Sequence, residues 1–175
     1  MKTTHRIILI GLLSALLVVV QVALAAIPNV ELVSFLFLMY AITLPLSMSL
    51  SIAVVFATLQ MLVWGMGDWV IGYYWIWAFW VILVYLLKRL NLTSEYRWAL
   101  LSGLWGFLFG ILFAVNHGVL YGLNYSVAYW IKGVSFDIIH AISNYIVVVV
   151  LFVPTHKLFE RLLTTFKGNH YESNH

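Results

Sequence analysis

The chain has 175 residues, 64% of them hydrophobic and only 9% charged, with nine Lys+Arg, six Asp+Glu and no cysteine. A soluble domain carries roughly a quarter charged residues, and a chain this poor in charge lacks the polar surface to cover a water-facing globule. The composition is that of a polytopic membrane protein. The lack of cysteine excludes a disulfide framework, thiolate chemistry and Cys-ligated zinc, and a net charge of +3 gives no reason to expect nucleic acid.

A helix needs about 20 apolar residues to cross the hydrocarbon. The first such run is Ile7 to Ala26, broken by Pro28-Asn29. Leu32 to Leu44 is shorter and needs its flanks to reach across before Pro45. Met48 to Trp64 ends at the turn signal Gly65-Met66-Gly67-Asp68, and Val70 to Leu87 stops at Lys88-Arg89. Trp98 to Val115 ends at Asn116-His117-Gly118, and Tyr129 to Phe152 ends at Pro154. The expectation is an all-α protein with six transmembrane helices in residues 1–156. Residues 157–175 then form a short amphipathic tail on the inner surface, frayed from His170 to His175.

The basic residues set the orientation. With a cytoplasmic amino terminus, six spans place Lys2, Arg6, Lys88, Arg89, Arg97, Lys157, Arg161 and Lys167 all inside. Only Lys132 falls near the outer end. Five or seven spans would divide this set across the membrane, so both termini are expected in the cytoplasm. Lys2 to Arg6, the apolar run and Ala23-Leu24-Ala25 imitate a secretory signal, but the run of about 18 residues exceeds the roughly 7–15 of a signal core. The first segment is read as a retained span.

Polar groups inside a membrane are costly and mark function or an internal pair. On this topology they collect at the outer end: Glu31 after the first turn, Asp68 and Trp69 in the third loop, and Asn116, His117, Tyr121, Asn124 and Tyr125 in the fifth. In the last span Lys132, Asp137, His140 and Asn144 descend into the membrane. The latter three, spaced three and four apart, share one helical face. Trp64, Trp69, Tyr73, Tyr74, Trp75, Trp77 and Trp80 fall within seventeen residues. Most are expected in an interfacial aromatic belt, with two or three stacking on a ligand. Together these residues describe a cavity open to the outside, against the alternative of a polar row that only holds helices together.

The sequence has no Walker A motif, no paired metal-ligand spacing in the spans, no assignable Ser–His–Asp set and no carboxylate chain through the membrane. No enzyme activity, metal or cofactor is expected. A polar site with an outer half and no inner half suits a capture subunit that depends on partners for energy.

Three segments carry a family resemblance: Ala25-Ala26-Ile27-Pro28-Asn29-Val30-Glu31, Gly65-Met66-Gly67-Asp68-Trp69, and Phe136-Asp137-Ile138-Ile139-His140-Ala141-Ile142-Ser143-Asn144. In this order, on six spans, they resemble the substrate-binding (S) components of energy-coupling factor vitamin transporters. The resemblance implies capture of a water-soluble vitamin or precursor at the outer side of a bacterial plasma membrane. It also implies a transmembrane coupling protein and two ATP-binding cassette ATPases as partners, and a loaded subunit that topples in the membrane. The family's small-xxx-small docking face maps onto Gly11 and Ala15, with Gly in place of the usual first Ala. The expected substrate contacts are Asn29, Glu31, Asp68, Trp69, Asn116, His117, Tyr121, Lys132, Asp137, His140 and Asn144. The first-turn and third loops should cover the site, with Trp69 as the lid. The signatures are similar to members for hydroxymethylpyrimidine or pyridoxine, and also to cobalamin-type members; the aromatic, Asp, His and Asn set suits a small heteroaromatic ring. Two rivals stand beside this reading, a self-sufficient secondary transporter and a ligand-free structural subunit.

Overall fold

A computed structural model describes the backbone of residues 3–90 and 94–172, and their side chains as far as Thr164 except at residue 163. Lys2 and the side chains of Lys167 and of His170 to His175 therefore lie outside the described residues. The protein is an all-α, polytopic membrane protein. Its helices are α1 (Thr3–Leu24), α2 (Val33–Thr43), α3 (Leu46–Trp64), α4 (Trp69–Lys88), α5 (Glu95–Tyr121) and α6 (Leu123–Glu172).

Five of the six are long and apolar enough to cross a membrane. The exception is α2. Its 11 residues reach only about 16 Å, and every position from Val33 to Ala41 is buried. It is an interior helix rather than a lipid-facing span. The chain from Ala25 to Leu32 covers the remaining distance without helical structure, which is tolerated at membrane depth only where the backbone is enclosed by protein or lines a cavity.

Three expected boundaries move. The fifth helix does not stop at Asn116-His117-Gly118 but continues to Tyr121, and α6 starts at Leu123. The reversal falls on Gly122, whose φ of 89° is open to glycine at little steric cost. Asn116, His117, Tyr121, Asn124 and Tyr125 thus sit on helices, not in a loop. At the other end α6 runs through Pro154 to Glu172. A proline removes one backbone hydrogen bond, a loss that membrane helices often accommodate. The tail therefore extends α6 instead of forming a separate surface helix.

α1 packs on α3, α3 and α2 on α4, and α5 forms a long hairpin with α6. Glycine makes that hairpin close. A Cβ at Gly106 would lie 2.8 Å from the His140 carbonyl oxygen, and one at Gly110 would overlap the Asp137 carboxylate. The interior is aromatic: Trp80 stacks on Trp105 at 4.5 Å and Phe37 on Trp77 at 5.0 Å. Among the described residues, the basic side chains other than Lys132 gather at one end. There Arg6 donates to Ser47 Oγ (2.8 Å) and Lys88 to the Ile42 carbonyl, while Phe159 packs on Tyr40. α1 begins and α6 ends on this side of the bundle.

Candidate functional site

A cavity of about 520 Å³ opens at the opposite end. Its walls are Trp69 and Tyr73 of α4, Phe109, Gly110 and Phe113 of α5, one face of α6 and Asn29 from the α1–α2 loop. The α6 face supplies Tyr129, Gly133, Phe136, Asp137 and His140 at helical spacing. Tyr129 and Phe136 are exposed on the rim, and the backbones of α1 and α6 do not approach closely among the described residues. The volume lies within the roughly 300–1,000 Å³ of small-molecule sites, and an apolar wall with few convergent polar groups is their usual composition.

Asp137 is buried, and its Oδ2 has no hydrogen-bond partner. The absence of a side chain at Gly110 makes room for the carboxylate. His140, one turn further, is also buried; its ring lies edge-on to Phe109 at 5.3 Å. Its Nε2 donates to Glu31 Oε1 at 3.1 Å. The other oxygen of Glu31 accepts the Ser34 backbone N–H at 2.8 Å, so one carboxylate caps α2 and ties the α1–α2 loop to α6. Asn29, in the same loop, takes a φ of 57°, a left-handed conformation that asparagine tolerates.

A second lobe of about 200 Å³ lies beneath this loop, lined by Asn29, Glu31, Tyr73, Trp77 and His140 among others. The structure thus brings together Asn29, Glu31, Trp69, Asp137 and His140 from three separate segments. Lys132 reaches the cavity only at its rim and is exposed. Five residues turn a helix by about 140° from Asp137, so Lys132 does not share the buried face.

The remaining expected contacts separate from the cavity. Asp68 accepts from Tyr121 Oη (3.1 Å), and its other neighbour is His117 Nδ1 at 3.5 Å. Asn116 Oδ1 accepts from Trp75 Nε1, and its Nδ2 donates to the Asp68 carbonyl. The buried His117 ring packs on Tyr129 at 4.4 Å. Asp68, Asn116, His117 and Tyr121 therefore bind one another and fasten the start of α4 to the end of α5. They are structural neighbours of the cavity rather than its lining. Asn144 lies one turn below His140, buried at 1% exposure with neither amide atom paired, and lines no part of the cavity.

The aromatic run divides as well. Trp80 and Trp77 are core residues, and Trp75 and Tyr74 make interhelical hydrogen bonds. Trp69 and Tyr73 line the main cavity. The run goes deeper than a belt because much of it builds the core. Sequence reasoning passed over Phe109, Gly110, Phe113 and Tyr129. The spacing of Gly103, Gly106 and Gly110 was the available signal, since small residues in a membrane helix mark close approach.

Comparison with protein-family models, with curated proteins and with solved structures finds no match in any of the three.

Proposed function

We propose that this chain is the substrate-capture subunit of an ATP-driven importer of the energy-coupling factor type, in a bacterial plasma membrane with both termini in the cytoplasm. Its ligand is a water-soluble vitamin or precursor, a small heteroaromatic such as hydroxymethylpyrimidine or pyridoxine. The observation that carries this reading is the unpartnered Asp137 carboxylate oxygen beside His140 in an aromatic-walled cavity. A ring lies against the wall formed by Tyr73, Phe109 and Phe113, which pack on one another, and its amino or ring N–H group donates to Asp137. A charge-assisted bond of this kind is stronger than a neutral one. The 520 Å³ volume favours a single substituted ring over a corrinoid.

A closed inner side supports a capture role over a self-sufficient carrier. Towards the basic end the bundle is filled by Phe37, Tyr40, Phe56, Trp77, Trp80 and Trp105, all buried. Release then requires partner proteins: a transmembrane coupling protein, and two ATP-binding cassette ATPases for energy. Gly11 and Ala15 are both exposed on α1, and nothing lies within 4 Å of a Cβ at Gly11. That face suits close docking by a partner helix.

Mass spectrometry of small molecules released from the purified chain tests the reading. A heteroaromatic vitamin or precursor supports it. A chain that carries none, and binds none when supplied, is a structural subunit instead. Uptake into liposomes by this chain alone would make it a secondary transporter.

A further inference from the structure

Two polar residues of the spans remain to be placed, one of which, Gln21, also lines the lobe beneath the α1–α2 loop. Gln21 in α1 and Gln60 in α3 are lone amides in apolar helices. Gln60 Nε2 donates to Gln21 Oε1 at 2.9 Å, and Gln21 Nε2 donates to Tyr73 Oη at 3.0 Å. The row ends at Gln60 Oε1, which has no partner although the residue is fully buried. Gln21, Gln60, Trp64, Trp69 and Tyr73 together line a chamber of about 240 Å³.

This arrangement differs from a pair that only joins helices. Thr58 and Tyr74 show the latter: their hydroxyls meet at 2.8 Å between α3 and α4, and Thr58 also bonds the Val54 carbonyl. That contact is complete. Gln60 instead keeps an unsatisfied acceptor at the wall of a chamber, and an unmet acceptor in a buried site incurs its full desolvation penalty. Tyr73 lines this chamber, the main cavity and the lobe under the α1–α2 loop; Trp69 lines the first two. Tyr73 is therefore a wall common to all three lobes.

We propose that the Gln21–Gln60–Tyr73 chamber is a second binding subsite that takes a hydroxyl-bearing arm of the ligand. The inference rests on the capture reading above. The ring lies on the Asp137 side of Tyr73, and the arm passes Tyr73 so that its hydroxyl donates to Gln60 Oε1. An arm ending in a methyl group leaves that oxygen unmet, so the subsite selects hydroxymethyl over methyl. Sites built to bond a hydroxyl discriminate strongly against analogues that lack it.

Two probes test this by calorimetry on the purified full chain: 4-amino-5-hydroxymethyl-2-methylpyrimidine and its 4-amino-2,5-dimethyl analogue. The wild type is expected to favour the hydroxymethyl compound by about tenfold or more. Gln60→Met, close to isosteric, should reduce that preference to within about threefold while leaving affinity for the dimethyl compound nearly unchanged. Asp137→Ala should weaken both compounds alike. A wild type that binds both equally overturns the subsite, whether or not the Gln60 variant folds. A Gln60→Met protein that keeps the full preference also overturns it, and in both cases capture at Asp137 stands. Binding of neither compound to the wild type overturns the subsite together with the assignment of these rings to the cavity.

Discussion

Glu31 and His140 are 109 positions apart in the chain and meet at 3.1 Å. The contact holds the non-helical α1–α2 loop against the middle of α6, at the wall between the main cavity and its lower lobe. Glu31→Ala removes both the His140 contact and the bond to the Ser34 N–H, and should lower the melting temperature of the purified chain in detergent by about 2–4 °C or more. A melting temperature equal to that of the wild type would show that the pair does not hold the loop.

Gly110 gives a second prediction. A methyl group there would overlap the Asp137 carboxylate and force it out of its position. Gly110→Ala should weaken binding of the ligand about as much as removal of Asp137 does, by roughly tenfold or more. Gly11→Ala, where an added Cβ has nothing within 4 Å, is the control and should bind normally. Wild-type affinity in Gly110→Ala, by titration, would move the ligand away from Asp137.

Docking and capture should separate. Gly11 and Ala15 lie on the exposed face of α1, whereas Ser14 and Leu17 face the bundle. A tryptophan at either small position holds a partner helix away without entering the cavity. Gly11→Trp or Ala15→Trp should abolish uptake in cells or assembly with a coupling protein, and leave ligand affinity within about threefold of wild type. Uptake that survives both substitutions would place the docking face elsewhere. Affinity lost together with uptake would show that the two functions are not separable.

The fold was legible because its main signals are long and redundant. Five apolar stretches of span length and the clustered basic residues hardly allow another arrangement. What failed were the punctuation marks. Pro154 and the Asn116-His117-Gly118 triplet read as stops, yet the helices continue. A membrane helix loses little at one proline, the Asn116 amide bonds Trp75, and the His117 ring packs on Tyr129 with Asp68 3.5 Å from its Nδ1. The Asp137–His140 face was legible from its spacing. Asn144 follows the same periodicity but falls below the cavity floor, because periodicity gives a face and not a depth. Gln21 and Gln60 went unread for another reason. Each is isolated in its own segment, and only the packing of α1 on α3 brings them together.

Asp137 offers the most direct measurement. The purified chain, without any partner, should bind hydroxymethylpyrimidine or pyridoxine in a saturable one-to-one calorimetric titration. Asp137→Ala should weaken that binding by about 1–3 kcal/mol, roughly five- to 150-fold, through loss of a buried charge-assisted contact. Affinity unchanged in a well-folded Asp137→Ala chain, or no binding of either compound by the wild type, would contradict the assignment of this cavity as their capture site.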